Sequence, residues 1–414
     1  MTGDHEIGDL LRRLTPQVIG VLTRKYGVFD LCEDAVQEAL LAAATQWPEQ
    51  GVPEHPRAWL ITAASRRLTD LIRSDSARRQ REERDAVMQR PESMRAPSAD
   101  ETVNADHDDS LQLLVLCCHP ALSSASQIAL TLRSVAGLTT AQIAAAFLVP
   151  EATMSQRITR AKLRLAEVGA HFSMPDADEW PARLAAVLHV LYLVFNEGYT
   201  STSGPDLTRP ELTAEAIRLT RQMHRVLPDD GEVTGVLALM LLTEARRTAR
   251  TAPDGALVPL AEQDRTRWNS EQIAEGVALV SDALTRTRLG PYQLQAAIAA
   301  IHDEAADPGS TDWAQILALY ALLESMAPNP MVTLNRAIAL AEVRGPRAGL
   351  RVLEQLDDAR ALVGHHRLLA VRAHLLEMDG QVAKAREAYL GAARRTTSGP
   401  EKRYLEAKAH NLSR

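Results

Sequence analysis

The sequence predicts an all-α protein. Three observations carry this. Alanine and leucine dominate the 414 residues, and both favour helix. Apolar residues recur at the three- and four-residue spacing of a helix face, with no convincing period-two alternation. In the second half, breaks near Gly204-Pro205, Pro228-Asp229, Gly290-Pro291, Asp307-Pro308, Pro328-Asn329-Pro330, Gly345-Pro346 and Asp379-Gly380 separate helix-length segments. The length exceeds one ordinary core and implies two or three domains.

Residues 8–26 read as an amphipathic helix with Leu10, Leu11, Leu14, Val18 and Leu22 on one side. A second helix starts near Asp30, carries the apolar stripe Leu31, Ala35, Leu40 and Ala43, and ends at Pro48. Asp34, Gln37 and Glu38 lie elsewhere around it. A third helix runs from about Arg57 into "SDSARRQREERD", with Trp59, Leu60, Ala63, Leu68 and Leu71 inward. Residues 85–109, with Pro91, Pro97, Ser98 and then "DETVNADHDDS", read as a flexible acidic linker. Another compact helical unit fills residues 110–168. From about residue 180 helices alternate with short turns. Ala385, Tyr389 and Ala392 take the small–large–small spacing of a tetratricopeptide second helix, so helical hairpins are expected.

"LTTAQIAAAFLVPEATMSQRITRAKLRL" has helix–turn–helix form. Thr139 or Thr140 caps its first helix, and Pro150 prepares the second. On that second helix Met154, Ile158, Ala161 and Leu165 share a narrow wedge that must face a core. Gln156 and Thr159 then point outward, with Arg157, Arg160 and Arg164 on one flank and Ser155 and Lys162 on the other. A polar crest between cationic flanks suits a major-groove helix.

The net charge is −7. Residues 1–170 hold 19 basic and 22 acidic side chains, so neither part of the chain is basic on average. Clusters are the informative feature. Residues 57–84 hold eight arginines against four acids, and residues 157–164 hold four basic side chains and no acid. Arg66, Arg67, Arg73, Arg78 and Arg79 remain outward on the third helix for phosphates.

Other classes are disfavoured. The cysteines Cys32, Cys117 and Cys118 give no disulfide framework and suit a reducing cytoplasm. The N-terminus does not read as a signal peptide, and no apolar run reaches the length of a membrane span. "CCHP" reads as core, because adjacent helical cysteines cannot both easily face one metal ion. No nucleophile–base pair, metal cluster or Gly-rich cofactor loop stands out, so neither enzyme activity nor a cofactor is expected. "NEGYTSTSG" reads as a loop after a helix ending near Phe195, with Gly198 as the helix cap.

The two basic clusters, in this order and joined by an acidic linker, resemble a bacterial sigma-70-family factor of the extracytoplasmic-function type. "DLCEDAVQEALLAA" is similar to the helix that grips the clamp helices of the RNA polymerase β′ subunit, which implies polymerase contacts at Asp30, Glu33, Asp34, Gln37 and Glu38. "AWLITAASRRLTDLIR" resembles the part that melts and reads the −10 element, implying Arg66, Arg67, Asp70, Arg73, Arg78 and Arg79. The helix–turn–helix resembles the −35 reader, implying Thr153, Ser155, Gln156, Arg157, Thr159, Arg160, Lys162 and Arg164. "CCHPALS", "LYLVFNEGYTSTSG", "EQDRTRW", "GPYQLQAAIAAIH" and "LNRAIALAEVRGP" resemble the group with a tetratricopeptide-like C-terminal extension.

The resemblance implies a region 2-like domain at 1–84, the linker at 85–109, a region 4-like domain at 110–170 and a regulatory helical extension at 175–414. The implied partners are core polymerase, promoter DNA and an unidentified protein on the extension, in the cytoplasm and away from membranes. It also implies that the extension controls activity in cis. Asn196, Glu197 and Tyr199 are candidates for an interdomain contact. Two departures stand out: Leu148 replaces the turn Gly of many sigma factors, and Arg66 replaces an Asn. The alternative is a helix–turn–helix activator with a helical-repeat sensor, which has no use for the 57–79 cluster.

Overall fold

The computed structural model describes residues 2–84, 109–147, 149–201, 206–356 and 365–413; the side chains of 2–5 and 74–84 are not included. Eighteen α-helices and no strand occur among these residues, with one isolated antiparallel bridge between Thr251 and Leu257. The chain divides into two compact units, residues 1–190 and 191–414.

The first unit contains α1 (Thr2–Tyr26), α2 (Phe29–Gln50), α3 (Pro56–Arg84), α4 (Ser110–Cys117), α5 (Ser124–Ser134), α6 (Thr140–Ala146) and α7 (Glu151–Glu167). It also takes the first half of α8 (Trp180–Tyr199), which buries Leu184, Val187 and Leu188. Helices α1, α2 and α3 pack on one another. Val18, Ile19, Leu22, Cys32, Val36, Leu60, Ala64 and Leu68 are buried there, and Trp47 meets Trp59 edge-on with centroids 5.5 Å apart. Helix α7 packs on α5, α6 and α2.

Several expectations need correction. Helix α2 does not stop at Pro48: the missing amide costs a bond only in the last turn, and Gly51, at φ +85°, ends the helix instead. The inner face of α2 is Cys32, Ala35, Val36, Ala39, Ala43 and Trp47, while Leu31 and Leu40 are half-buried. Asp109, read as linker, is fully buried and pairs with Arg24 at 3.0 Å. Gly20 makes room for it: a Cβ there would come within 2.4 Å of the Asp109 Cβ. Residues 85–108, Leu148 and the Gly204-Pro205 break lie outside the described residues.

The second unit continues from Leu191 through α9 (Pro210–Val226), α10 (Gly231–Ala245), α11 (Ser270–Arg286), α12 (Pro291–Glu304), α13 (Trp313–Met326), α14 (Pro330–Arg344), α15 (Pro346–Glu354), α16 (His366–Met378), α17 (Val382–Arg395) and α18 (Gly399–Asn411). Each helix packs on those next to it in sequence, the arrangement of a helical array. Six of the seven sequence-marked breaks fall between helices as expected. Ala385, Tyr389 and Ala392 are all buried. The irregular stretch between α10 and α11 was not legible in advance. Among the described residues no helix is long and apolar enough to cross a membrane.

Candidate functional site

Asp30, Glu33 and Asp34 sit at the i, i+3 and i+4 positions of α2 and so share one side of it. They do not stand free. The Lys162 ammonium of α7 reaches Asp34 Oδ1 at 2.6 Å, Glu33 Oε2 at 2.9 Å and Asp30 Oδ1 at 3.0 Å. It donates a hydrogen bond to Asp34 and forms ion pairs with Glu33 and Asp30. Glu33 also accepts from Arg133 Nε of α5 at 3.1 Å. Side-chain exposure is 6% at Lys162 and 2% at Glu33, against 53% at Asp34. Burial alone would lower the Lys162 pKa; the surrounding carboxylates outweigh it and raise the group above the ordinary lysine value. Gln37 is half-buried, and Glu38 is exposed one turn further on.

Helix α7 is placed by the turn before it. Thr139 and Gln142 form a reciprocal capping box on α6, with Gln142 N donating to Thr139 Oγ1 at 3.1 Å and Thr139 N to Gln142 Oε1 at 2.9 Å. Pro150 then precedes the first turn of α7. Met154, Ile158, Ala161 and Leu165 are buried, as the wedge required. Thr153, Ser155, Gln156, Thr159, Arg160 and Arg164 are exposed, and Arg157 is half-buried. Arg164 pairs along its own helix with Glu167 at 3.2 Å. Arg157 and Arg160 make no ion pair among the described residues. Lys162, expected on the outer flank, is the member that turns inward.

On α3, Arg66, Arg67, Asp70 and Arg73 are exposed, while Leu60, Ala64 and Leu68 face the core. Arg67 is engaged: it forms an ion pair with Glu38, and its Nη2 donates to Glu38 Oε1 at 3.1 Å. The backbone of α3 continues through Arg78 and Arg79, whose side chains lie outside the described residues.

The "NEGY" segment departs from its expected loop. Helix α8 continues through Gly198 to Tyr199. Glycine is needed there for close approach: a Cβ would lie 2.6 Å from Thr213 N of α9. Arg250 stacks its guanidinium 3.6 Å from the Tyr199 ring and donates to the Tyr199 carbonyl. Glu197 is buried, 4.0 Å from Arg209, and Asn196 bonds to Tyr192.

Cys117 and Cys118 are core residues. Cys118 Sγ lies 3.7 Å from Thr131 Oγ1, and burial pushes its thiol up to about 12. A thiol held neutral is a poor ligand and a poor nucleophile. No cluster able to hold a metal ion occurs among the described residues.

Sequence reasoning missed Arg133 and Asp109, and it missed the engagement of Lys162. The available signal was charge: acidic α2 and basic α7 are complementary. Which charges meet could not be read from either helix alone.

Residues 10–78 match the family described as sigma-70 region 2, and residues 112–165 match sigma-70 region 4. Residues 183–284 match a family of unknown function (DUF6596). An uncharacterized protein of Rhizobium meliloti (strain 1021) is 42% identical over 399 residues, covering 96% of this chain and 94% of that one. No solved structure matches the chain.

Proposed function

The chain belongs to the sigma-70 family of sigma factors, and from that premise we propose how its parts divide the work. It binds core RNA polymerase and promoter DNA and directs promoter-specific transcription. Residues 1–84 dock on the clamp helices of the β′ subunit through Asp30, Glu33, Asp34, Gln37 and Glu38. Arg66, Arg67, Asp70, Arg73, Arg78 and Arg79 serve the −10 element, where unstacked bases are held as the strands open. Residues 110–170 read the −35 element through Thr153, Ser155, Gln156, Arg157, Thr159, Arg160 and Arg164, while Lys162 faces α2. Catalysis stays with the polymerase, and the place of work is the cytoplasm. The factor is of the extracytoplasmic-function type, and its tetratricopeptide-like extension, from about residue 175, acts in cis and offers a surface to a protein partner.

The observation that carries this reading is the exposed crest of α7, with Gln156 and Thr159 beside the arginines Arg157 and Arg160. Phosphates take such flanking cations while a polar crest meets base edges. The acidity of the rest limits DNA binding by the factor alone and leaves polymerase to supply most of the affinity. The test is run-off transcription with purified core polymerase and the full chain. Promoter-specific transcripts that depend on the chain are expected. A chain that binds duplex DNA by itself and adds nothing to core polymerase would instead be an activator with a sensor domain.

A further inference from the structure

We propose that the second unit binds a small organic anion, a carboxylate or a phosphate ester, inside its helical array, with Arg246 holding the anionic group. The site lies wholly within residues 191–414 and does not depend on how the first unit meets polymerase or DNA.

Arg246 is the anchor. Its side chain is 10% exposed, and its guanidinium makes no hydrogen bond among the described residues. An arginine carries five N–H donors, and buried donors are ordinarily satisfied. The Nε edge faces Asp303 of α12, with Nε and Oδ1 3.5 Å apart. That distance makes an ion pair and not a hydrogen bond. Nε and both Asp303 oxygens are buried without a hydrogen-bond partner, whereas the two terminal nitrogens of Arg246 are not sealed in this way. Asp303 therefore holds the guanidinium from one edge, and the terminal edge is left to take two oxygens of a carboxylate or phosphate. Arg265 lies near the same Asp303 carboxylate, so the group as a whole keeps a positive charge for an incoming anion.

An aromatic wall stands beside the anchor. Tyr320 of α13 lies within electrostatic reach of Arg246 and of Tyr192 on α8, and it bonds to Asn335 of α14. Tyr192 meets Tyr292 of α12 edge-on, with ring centroids 5.4 Å apart, and Arg367 of α16 acts on Tyr192. Five helices and the stretch after α10 thus bring six side chains together. The three tyrosines are half-buried, and Asn335 and Arg367 are exposed, so this lining is open to a ligand. Aromatic surface with a few placed polar groups is the composition of a small-molecule site.

The array is also tied shut along one side. Residues 246–269, between α10 and α11, run as a strap. Arg265 Nη1 donates to the carbonyls of His302 and Ala305 at the end of α12, at 2.7 and 2.6 Å. Leu257 N donates to the Pro400 carbonyl at 3.3 Å, and Arg403 Nη2 to the Gly255 carbonyl at 2.8 Å, which join the strap to α18. A long segment threaded along the array would have to part these contacts. A compact molecule would not.

The experiment titrates the full chain with benzoate, phenyl phosphate and inorganic phosphate by calorimetry. Benzoate or phenyl phosphate should bind, one molecule per chain, and the tighter of the two identifies the anionic group. Inorganic phosphate offers nothing to the tyrosines and should bind about tenfold or more weakly than phenyl phosphate. Arg246→Met should weaken binding about tenfold or more, and Tyr320→Phe and Arg367→Ala about threefold each. Arg351→Ala, exposed on α15, should bind as the parent does. A parent chain that binds neither benzoate nor phenyl phosphate overturns the proposal, as does a folded Arg246→Met chain with the parent's affinity. If Arg246→Met fails to fold, the other two variants decide, and unchanged affinity in both overturns it. Equal binding of phosphate and phenyl phosphate, or a loss in Arg351→Ala as large as in Arg367→Ala, would show adsorption to surface charge and not this site.

Discussion

Glu38 on α2 and Arg67 on α3 form an ion pair across the two helices, with Arg67 Nη2 3.1 Å from Glu38 Oε1. One residue is assigned to polymerase and the other to the −10 element. On that proposal the two roles would share one edge of the α2–α3 pair. Because both side chains are exposed, the pair adds little to folding stability.

Charge reversal at Asp34 and Glu38 tests docking. The double variant is expected to keep its helical circular dichroism and lose affinity for core polymerase in a pull-down or titration. Binding equal to the parent would remove α2 from the docking role. Asp34 also holds Lys162, so Glu38→Arg alone gives the cleaner reading.

Gln156→Ala and Arg160→Ala test the −35 reader. Each should cost about 1–3 kcal/mol in promoter-specific transcription if its side chain meets a base edge. Both residues are exposed, so the melting temperature should hardly move. Core-polymerase affinity should stay at the parent value. Undiminished transcription from a native promoter would assign the reading elsewhere.

Replacing Cys117 and Cys118 together with Ala should lower stability by about 1–3 kcal/mol through lost packing. Metal content, measured on the purified chains, should be the same in parent and variant. Alkylation of the parent thiols should be slow until the chain unfolds, since burial raises both above the ordinary thiol range. Stoichiometric zinc in the parent, lost in the variant, would contradict the packing role.

The second unit carries a pH-sensitive ring. His302 stacks edge-on against Trp313 with centroids 5.2 Å apart, and burial, aided by Arg246 and Arg265, lowers its pKa to about 4. Its folded value lies below the unfolded one. Its stabilising contribution is therefore present above about pH 6.5 and lost as pH falls towards 4. Neighbouring Asp303, raised to about 6 chiefly by burial, has the opposite sign: its contribution is present at low pH and lost as pH rises through 6. The two oppose each other between pH 4 and 6, so the parent's own melting curve hides them. The difference between parent and His302→Gln isolates the ring. The parent's advantage at pH 7 should shrink by about 2 kcal/mol by pH 4.5. A difference independent of pH would show that the ring titrates normally.

Removing the extension tests control in cis. Cutting near Ser173 is expected to abolish transcription with core polymerase while polymerase binding persists, the outcome of a required brace. Raised activity would mark the extension as an inhibitor. Because the first unit runs to Val190 and so includes the first half of α8, a second cut after Tyr199 is the needed control. Activity unchanged by either cut, with no binding between the separated parts, would show that the extension does neither.

The sequence by itself determined the helices, most of their boundaries and the inner face of α7. Periodicity, capping residues and Gly/Pro breaks act over a few residues, so Met154, Ile158, Ala161 and Leu165 could be assigned to the core from spacing alone. The resemblance to sigma factors was legible for the same reason, since it lies in short ordered stretches. Only the tertiary structure decided which charges are spent inside the protein. Lys162 and Asp34 are 128 positions apart, and helical phase puts Arg160 and Lys162 on opposite flanks of α7 without telling which flank meets α2. Gly198 gave a local signal for a cap, but the approach of α9 made it a packing residue inside a helix. Local rules set the conformation of each segment. The pairing of polar groups depends on which surface arrives opposite, and that is fixed only when the helices pack.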